Sequence, residues 1–297
     1  MNTDTPLPPD FPAGPNPPDG AVLNYYLKSA GTGPVTLEIK DAGGDVIRRY
    51  SSTDPEPQPD PQLAIPAYWV RPAQKLEATA GLHRFLWDMH LPPMPGVPPS
   101  YPIAAIAHNT APEATSPWAM PGIYTVVLTA NGKSYSQPLK VSMDPRVKTP
   151  VSDLQQQLRL SKQVYDDALK LSMPLETATK IHAQLKDQRD HAQGSAAQLI
   201  DPVTRKLDEV AGEGGRRRGR GAPLPDSVGT VRGSLMMLMG ILQDADVAPT
   251  TQTVAAVTEV EKKVPAVLQS WQTFQQQDLP AFNQQLKAAG LQPLKTE

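Results

Sequence analysis

Apolar and polar residues alternate with a period of two through the first half of the chain and recur at helical spacing through the second. In PVTLEIKD (34–41), Val35, Leu37 and Ile39 fall on one side and Thr36, Glu38 and Lys40 on the other, as in a half-buried antiparallel strand. AVLNYYLK (21–28) and DVIRRYSS (45–52) have the length and β-branched or aromatic content of strands, and DAGGD supplies the glycines for a tight hairpin before the latter. GLHRFLWDMH (81–90) sets Leu82, Arg84, Leu86 and Asp88 opposite His83, Phe85, Trp87 and Met89, with the second set expected inward. The clearest hairpin is 122–143, where Asn131 and Gly132 can take the positive φ values of a type I′ turn. Six or seven short antiparallel strands with aromatic inward positions predict a small immunoglobulin-like β-sandwich.

After residue 150 the pattern predicts helices. Ser152 and Gln155 have capping-box spacing, with Pro150 just outside, and Leu154, Leu158, Tyr165 and Leu169 follow at helical intervals. Pro174 is expected to end or kink that helix, with Leu175, Ile181 and Leu185 marking another. A third helix spans about 195–211, with Pro202 near its first turn, and a fourth about 227–245 carries the stripe Val228, Val231, Leu235, Leu238 and Leu242. The last begins after Pro249 with Thr250 or Thr251 as its cap, and Gly290 stops it. Val257, Val264 and Trp271, with Val260, Val267 and Phe274, keep a seven-residue rhythm suited to bundle packing, and Pro265 is expected to kink it. The fold class is therefore α+β in series: an N-terminal antiparallel immunoglobulin-like β-sandwich, then a bundle of four or five helices.

Composition sharpens the boundaries. Most of the 34 prolines and nearly all the tyrosines precede residue 150, and MDPRVKTPVSD holds a short stiff connector between Pro145 and Pro150. The expected organisation is a proline-rich linker at 1–19, a sandwich at 20–146 with a proline-rich insert at 91–120, and a bundle at 150–297 with a Gly/Arg loop at 212–225. The leader has no basic n-region and no apolar h-region, so it does not read as a secretory signal. No run approaches the roughly 18 apolar residues of a membrane span. A net charge of −2 gives no global field toward nucleic acid or anionic lipid, and the absence of cysteine removes disulfides, thiolate catalysis and cysteine metal sites.

The residues offer little catalytic chemistry. Acidic residues are scattered over turns and helix faces, the five histidines lack metal-ligand spacing, and no Gly-x-Ser-x-Gly elbow occurs. No cofactor is implied. Two stretches invite a binding reading. GGRRRGRG (214–221) carries Arg216, Arg217, Arg218 and Arg220, which could meet phosphates by counterion release or simply form a solvated interhelical loop. The insert holds Tyr101, His108 and Trp118 among prolines, and Trp69 lies upstream in IPAYWVRP. These aromatics could stack on sugar rings or a neighbouring protein, or pin the insert onto the sandwich.

The strand Gly-x-His-x-Phe-x-Trp-Asp followed by Pro-Gly-x-Tyr resembles the sandwich of flagellar-hook-cap type domains, apart from the long insert at 91–120. Across the chain, PLPPDFPAGPNPPDGAVLNYYL, PVTLEIKDAGGDVIRRYSS, GLHRFLWDMHLPP, YPIAAIAHNT, PGIYTVVLTANGKSYSQPLKVSMDPRVKTP and LQDADVAPTTQ, then Trp271 and QDLPAFNQQLKAAGL, appear in the order found in another family. Together they resemble the C-terminal region of large bacterial sortilin-like, BNR-repeat β-propeller proteins, often labelled glycosyl hydrolases. The resemblance implies that the leader is a propeller-to-sandwich linker, that Met1 is an internal start or a truncation, and that the longer proteins are secreted or periplasmic. The propeller repeats are missing, and with them the blade-borne acids and arginine cluster that sialidase-type hydrolysis needs. The expected role is a non-catalytic accessory module, structural or protein-binding, whose partner is a β-propeller or another protein. The alternatives are a carbohydrate-binding accessory of a glycosyl hydrolase and, third, a glycoside hydrolase in its own right.

Overall fold

A computed structural model describes residues 17–56, 65–102, 108–191, 195–212 and 225–296, with Pro12, Gly14 and Leu63. The chain divides into two compact units, Met1–Lys148 and Thr149–Glu297. The first holds two antiparallel sheets and the second is helical.

In the first unit, β1 (Ala21–Leu27) pairs with β4 (Gly81–Trp87), and β2 (Thr36–Lys40), β3 (Val46–Ser51), β5 (Gly122–Ala130) and β6 (Lys133–Val141) form a second sheet in the order β3-β2-β5-β6. That arrangement corresponds to strands B-E facing C′-C-F-G of an immunoglobulin-type sandwich. Tyr124, near the start of β5, donates its hydroxyl to the Met120 carbonyl at 2.5 Å, the corner hydrogen bond typical of such folds. The period-two faces point as the sequence predicts. Val35, Leu37 and Ile39 are buried from one sheet, and Phe85 and Trp87 from the other. One cluster joins Tyr25, Leu27 and Phe85 to Val35, Leu37 and Ala130, and another joins Trp87 to Ile39 and Tyr124. At the β5–β6 turn Asn131 (φ 51°) and Gly132 (φ 72°) are both left-handed, which lets two residues reverse the chain with the twist of the flanking strands.

In the second unit, α1 (Val151–His191) packs on α2 (Ser195–Ala211) and α3 (Val228–Gln243). A near-continuous run follows: α4 (Thr251–Glu261), α5 (Val264–Thr273), a π-helical turn (Phe274–Asp278) and α6 (Leu279–Ala288). These make about four helical rods. The predicted α3 stripe is buried throughout, and Ser227 caps the helix by accepting the Thr230 N–H while Thr230 returns the bond. Thr250 caps α4 by accepting the Thr253 N–H. Gly290, just beyond α6, has φ 79°, as a C-terminal stop requires.

Several helical expectations are corrected. Pro174 does not divide α1, which runs 41 residues through it. The proline is itself buried among a stripe that includes Leu171, Ala178 and Ile181, so packing on both sides outweighs the lost backbone bond. The helix opens at Val151, with the Pro150 carbonyl accepting the Leu154 N–H; Ser152, inside the first turn, donates to Asp153 and forms no capping box. Leu169 lies on the exposed side of α1. The expected kink at Pro265 is present as a break at Lys262 and Lys263, which leaves the proline in the first turn of α5, where it costs little. The leader at 1–19 lies mostly outside the described residues, as does most of the loop at 212–225.

Candidate binding surface of the sandwich

The proline-rich insert begins where β4 leaves its sheet. Met89 takes a left-handed φ of 58°, turning the chain so that His90 folds back on Asp88. The His90 N–H donates to the Asp88 carboxylate at 3.2 Å, and its Nδ1 lies 2.8 Å from the Asp88 carbonyl. A carbonyl can only accept, so Nδ1 carries the proton and Nε2 the lone pair. The ring is 6% exposed, and among the described residues nothing bonds Nε2. The returning end of the insert closes on this turn: Ala119 N–H donates to Met89 O at 2.7 Å, Leu91 N–H to Pro117 O at 3.0 Å, and Ser116 Oγ to Leu91 O at 2.7 Å. His90 and Trp118 face each other in an isolated antiparallel bridge, which brings their rings together.

The turn is also tied to β3. Arg48 donates from Nε to the Tyr50 hydroxyl and from a terminal nitrogen to the Leu91 carbonyl, both at 2.9 Å, while its other terminal nitrogen lies 3.7 Å from the Asp88 carboxylate. Burial is the main cause that pushes the Tyr50 hydroxyl up to about 12; the Asp88 charge adds to it, and Arg48 opposes. Burial likewise lowers the His90 pKa, with Arg48 acting the same way and the Asp88 hydrogen bond and charge acting against. Arg48 and Asp88 were not singled out from the sequence. Forty positions apart, Arg48 on β3 and Asp88 just past the end of β4, they form no motif, and only the fold brings them together.

The second anchor surrounds Trp69, in a 3₁₀ turn at Ala67–Trp69. Its carbonyl accepts the Thr110 N–H at 2.9 Å, Arg71 N–H donates to Thr110 O at 2.9 Å, and His108 N–H donates to Tyr68 O at 3.1 Å. Trp69 is 1% exposed, so it cannot offer a ring face to a ligand, and its place among surface candidates is corrected to packing. His108 is exposed at a left-handed φ of 59°, its ring 6.3 Å from the half-exposed Tyr68. Tyr101 is half-buried. Trp118 is 45% exposed. The four candidates therefore separate: Trp118 and His108 reach the surface, Tyr101 does so in part, and Trp69 does not. Tyr68 joins the surface set: it stands beside Trp69 in the same 3₁₀ turn, yet it is exposed where Trp69 is buried, and no motif marks the difference. Arg216, Arg217, Arg218 and Arg220 lie outside the described residues.

Concave features are shallow. One cleft of about 260 Å³ is lined by Asp19, Arg71, Gln74, Arg84, Leu86 and Asn109, and another of about 330 Å³ by residues that include Tyr50, Asp54, Glu56, Lys75 and Phe85. In the first, Arg71 is engaged by Asp19 and by the Asn109 side chain, the latter at 2.7 Å. Among the described residues, no group of three or more His, Cys, Asp or Glu side chains could hold a metal ion. No described helix is long and apolar enough to cross a membrane. Comparisons with family models, with curated proteins and with solved structures gave no match.

Proposed function

We propose that the chain is a non-catalytic accessory module of a sortilin-like, BNR-repeat propeller protein, with a structural or protein-binding role. The sequence resemblance motivates the family, and one observation carries the role: the two candidate tryptophans, one upstream of the insert and one at its end, are used at least in part for packing. Trp69 is buried, and Trp118 lays a ring face on His90. A sugar platform needs open ring faces, whereas a brace needs an anchored surface, and hydrogen bonds tie the two described ends of the insert to each other and to β3. The partner is a propeller or another protein.

A carbohydrate-binding role is the second reading, supported by the exposed remainder of Trp118 and by Tyr68 beside His108. Glycan-array binding by residues 1–297, with the melting curve of Trp118→Ala alongside, separates the two. The accessory reading expects no specific glycan signal and a lowered melting temperature. A reproducible glycan hit lost in Trp118→Ala, with melting unchanged, overturns it in favour of carbohydrate binding. Hydrolysis of aryl glycosides or sialosides, abolished by one Asp or Glu substitution, would instead make the chain a glycoside hydrolase.

A further inference from the structure

A sheet edge presents unpaired backbone groups, and proteins usually guard it with charge, proline or a covering segment. Among the described residues, three of the four sheet edges are guarded. β3 carries Arg48 and Arg49, and β6 carries Lys133, Pro138 and Lys140. The outer edge of β4 is clasped by Gln74, whose side-chain oxygen accepts the Leu86 N–H at 2.7 Å while its nitrogen reaches the Leu86 carbonyl at 3.4 Å. β1, AVLNYYL, has neither charge nor proline, and among the described residues no strand pairs with its other edge.

The Gln74 clasp fixes which groups of β1 are open. Leu86 stands opposite Val22 and spends its N–H on Gln74, so the two form a non-hydrogen-bonded pair. Hydrogen-bonded and non-hydrogen-bonded pairs alternate in an antiparallel ladder. Asn24 opposite Arg84 and Tyr26 opposite Leu82 are then non-bonded as well. The N–H and C=O groups of Val22, Asn24 and Tyr26 point away from β4, along the open edge. The same three side chains face outward, with Val22 39%, Tyr26 68% and the neighbouring Leu82 76% exposed.

The geometry points to pairing of this edge with β1 of a second copy of the chain, antiparallel about a two-fold axis at Asn24. That register sets Asn24 against Asn24 of the second copy and Val22 against Tyr26 of the second copy, so every outward N–H meets an outward C=O. Each β-branched residue then faces an aromatic ring, a favourable cross-strand pair. It also brings Lys28 opposite Gly20 of the second copy and beside its Asp19, an exposed carboxylate that Arg71 of its own chain also holds, so opposite charges meet at both ends. The contact is isologous and closes at two. The chain's own leader is a poor rival, because Pro8, Pro9, Pro12, Pro15, Pro17 and Pro18 lack the N–H a strand must donate. This pairing does not rest on the propeller reading.

Sedimentation of residues 1–297 over a concentration series tests it. The parent chain is expected to show a reversible monomer–dimer equilibrium. Asn24→Pro removes an outward N–H and the exposed Arg84 Nε–Asn24 Oδ1 bond (3.3 Å), sparing the backbone ladder to β4, and should raise the dissociation constant more than about tenfold. Tyr26→Lys keeps every N–H but puts a charge on the joined face, and should weaken the dimer too; circular dichroism confirms that each variant is folded. Because the chain has no cysteine, Asn24→Cys gives a single thiol on the axis, and oxidation should yield a covalent dimer, whereas Asp45→Cys at the β2–β3 turn should not. A parent that stays monomeric, a dimer unaffected by either folded edge variant, or a chain that dimerises only after residues 1–16 are deleted would each overturn the proposal.

Discussion

The ring centroids of His90 and Trp118 lie 3.7 Å apart with their planes at 39°, so a half-exposed tryptophan closes the insert over a buried histidine. Truncating that ring loses one covered face. Trp118→Ala should cost about 1–2 kcal/mol, whereas Trp69→Ala, which empties a fully buried site, should cost about 3–5 kcal/mol. Denaturant titration of both variants checks the order; equal losses would mean that Trp118 is covered as fully as Trp69.

His90 should make the fold acid-sensitive. Its pKa is lowered in the folded chain, chiefly by burial, while the unfolded chain binds the proton near the ordinary value of about 6.5. Below that value the unfolded state carries more protons, so the contribution is full above about pH 6.5 and is lost as pH falls through the lower folded value. The groups facing the ring set the balance, with Asp88 favouring the proton and Arg48 opposing it. The difference in melting temperature between the parent and His90→Gln should be larger at pH 8 than at pH 5. A constant difference across that range would rule this out.

Tyr50 gives the opposite dependence at the alkaline end. Its pKa, raised to about 12, exceeds the unfolded value of about 10. Its contribution is therefore full below pH 10 and lost as pH rises through about 12. Ultraviolet difference titration should show phenol absorbance developing in that upper range, and Tyr50→Phe should remove part of it. Ionisation of every phenol near pH 10 in folded protein would contradict the half-buried Arg48–Tyr50 contact.

Each unit has its own buried core, one built on Trp87, Ile39 and Tyr124 and the other including Ile181, Leu207, Leu235 and Phe274. Separately produced 1–148 and 149–297 should fold, with β-type and helical circular dichroism respectively. An unfolded 149–297 piece would mean that the bundle needs the first unit to complete its core.

The sequence by itself determined what periodicity and local stereochemistry control. Alternation placed Val35, Leu37 and Ile39 inside because successive strand side chains must point to opposite faces. Asn131 and Gly132 marked a turn that few other pairs can make, and the α3 stripe and the Thr250 cap followed the 3.6-residue repeat and the open N–H groups of a helix start. Tertiary structure decided what depends on burial and on contacts far apart along the chain. Pro174 looked like a break because its local cost is visible, while the packing that holds α1 continuous through it is not. Trp69 and Trp118 read alike in proline-rich surroundings, yet one is 1% and the other 45% exposed, since exposure depends on which strands close over each ring. The corner of Arg48, Tyr50, Asp88 and His90 was illegible for the same reason: two members come from β3 and two from the turn after β4, and their pKa shifts arise only when folding brings them together.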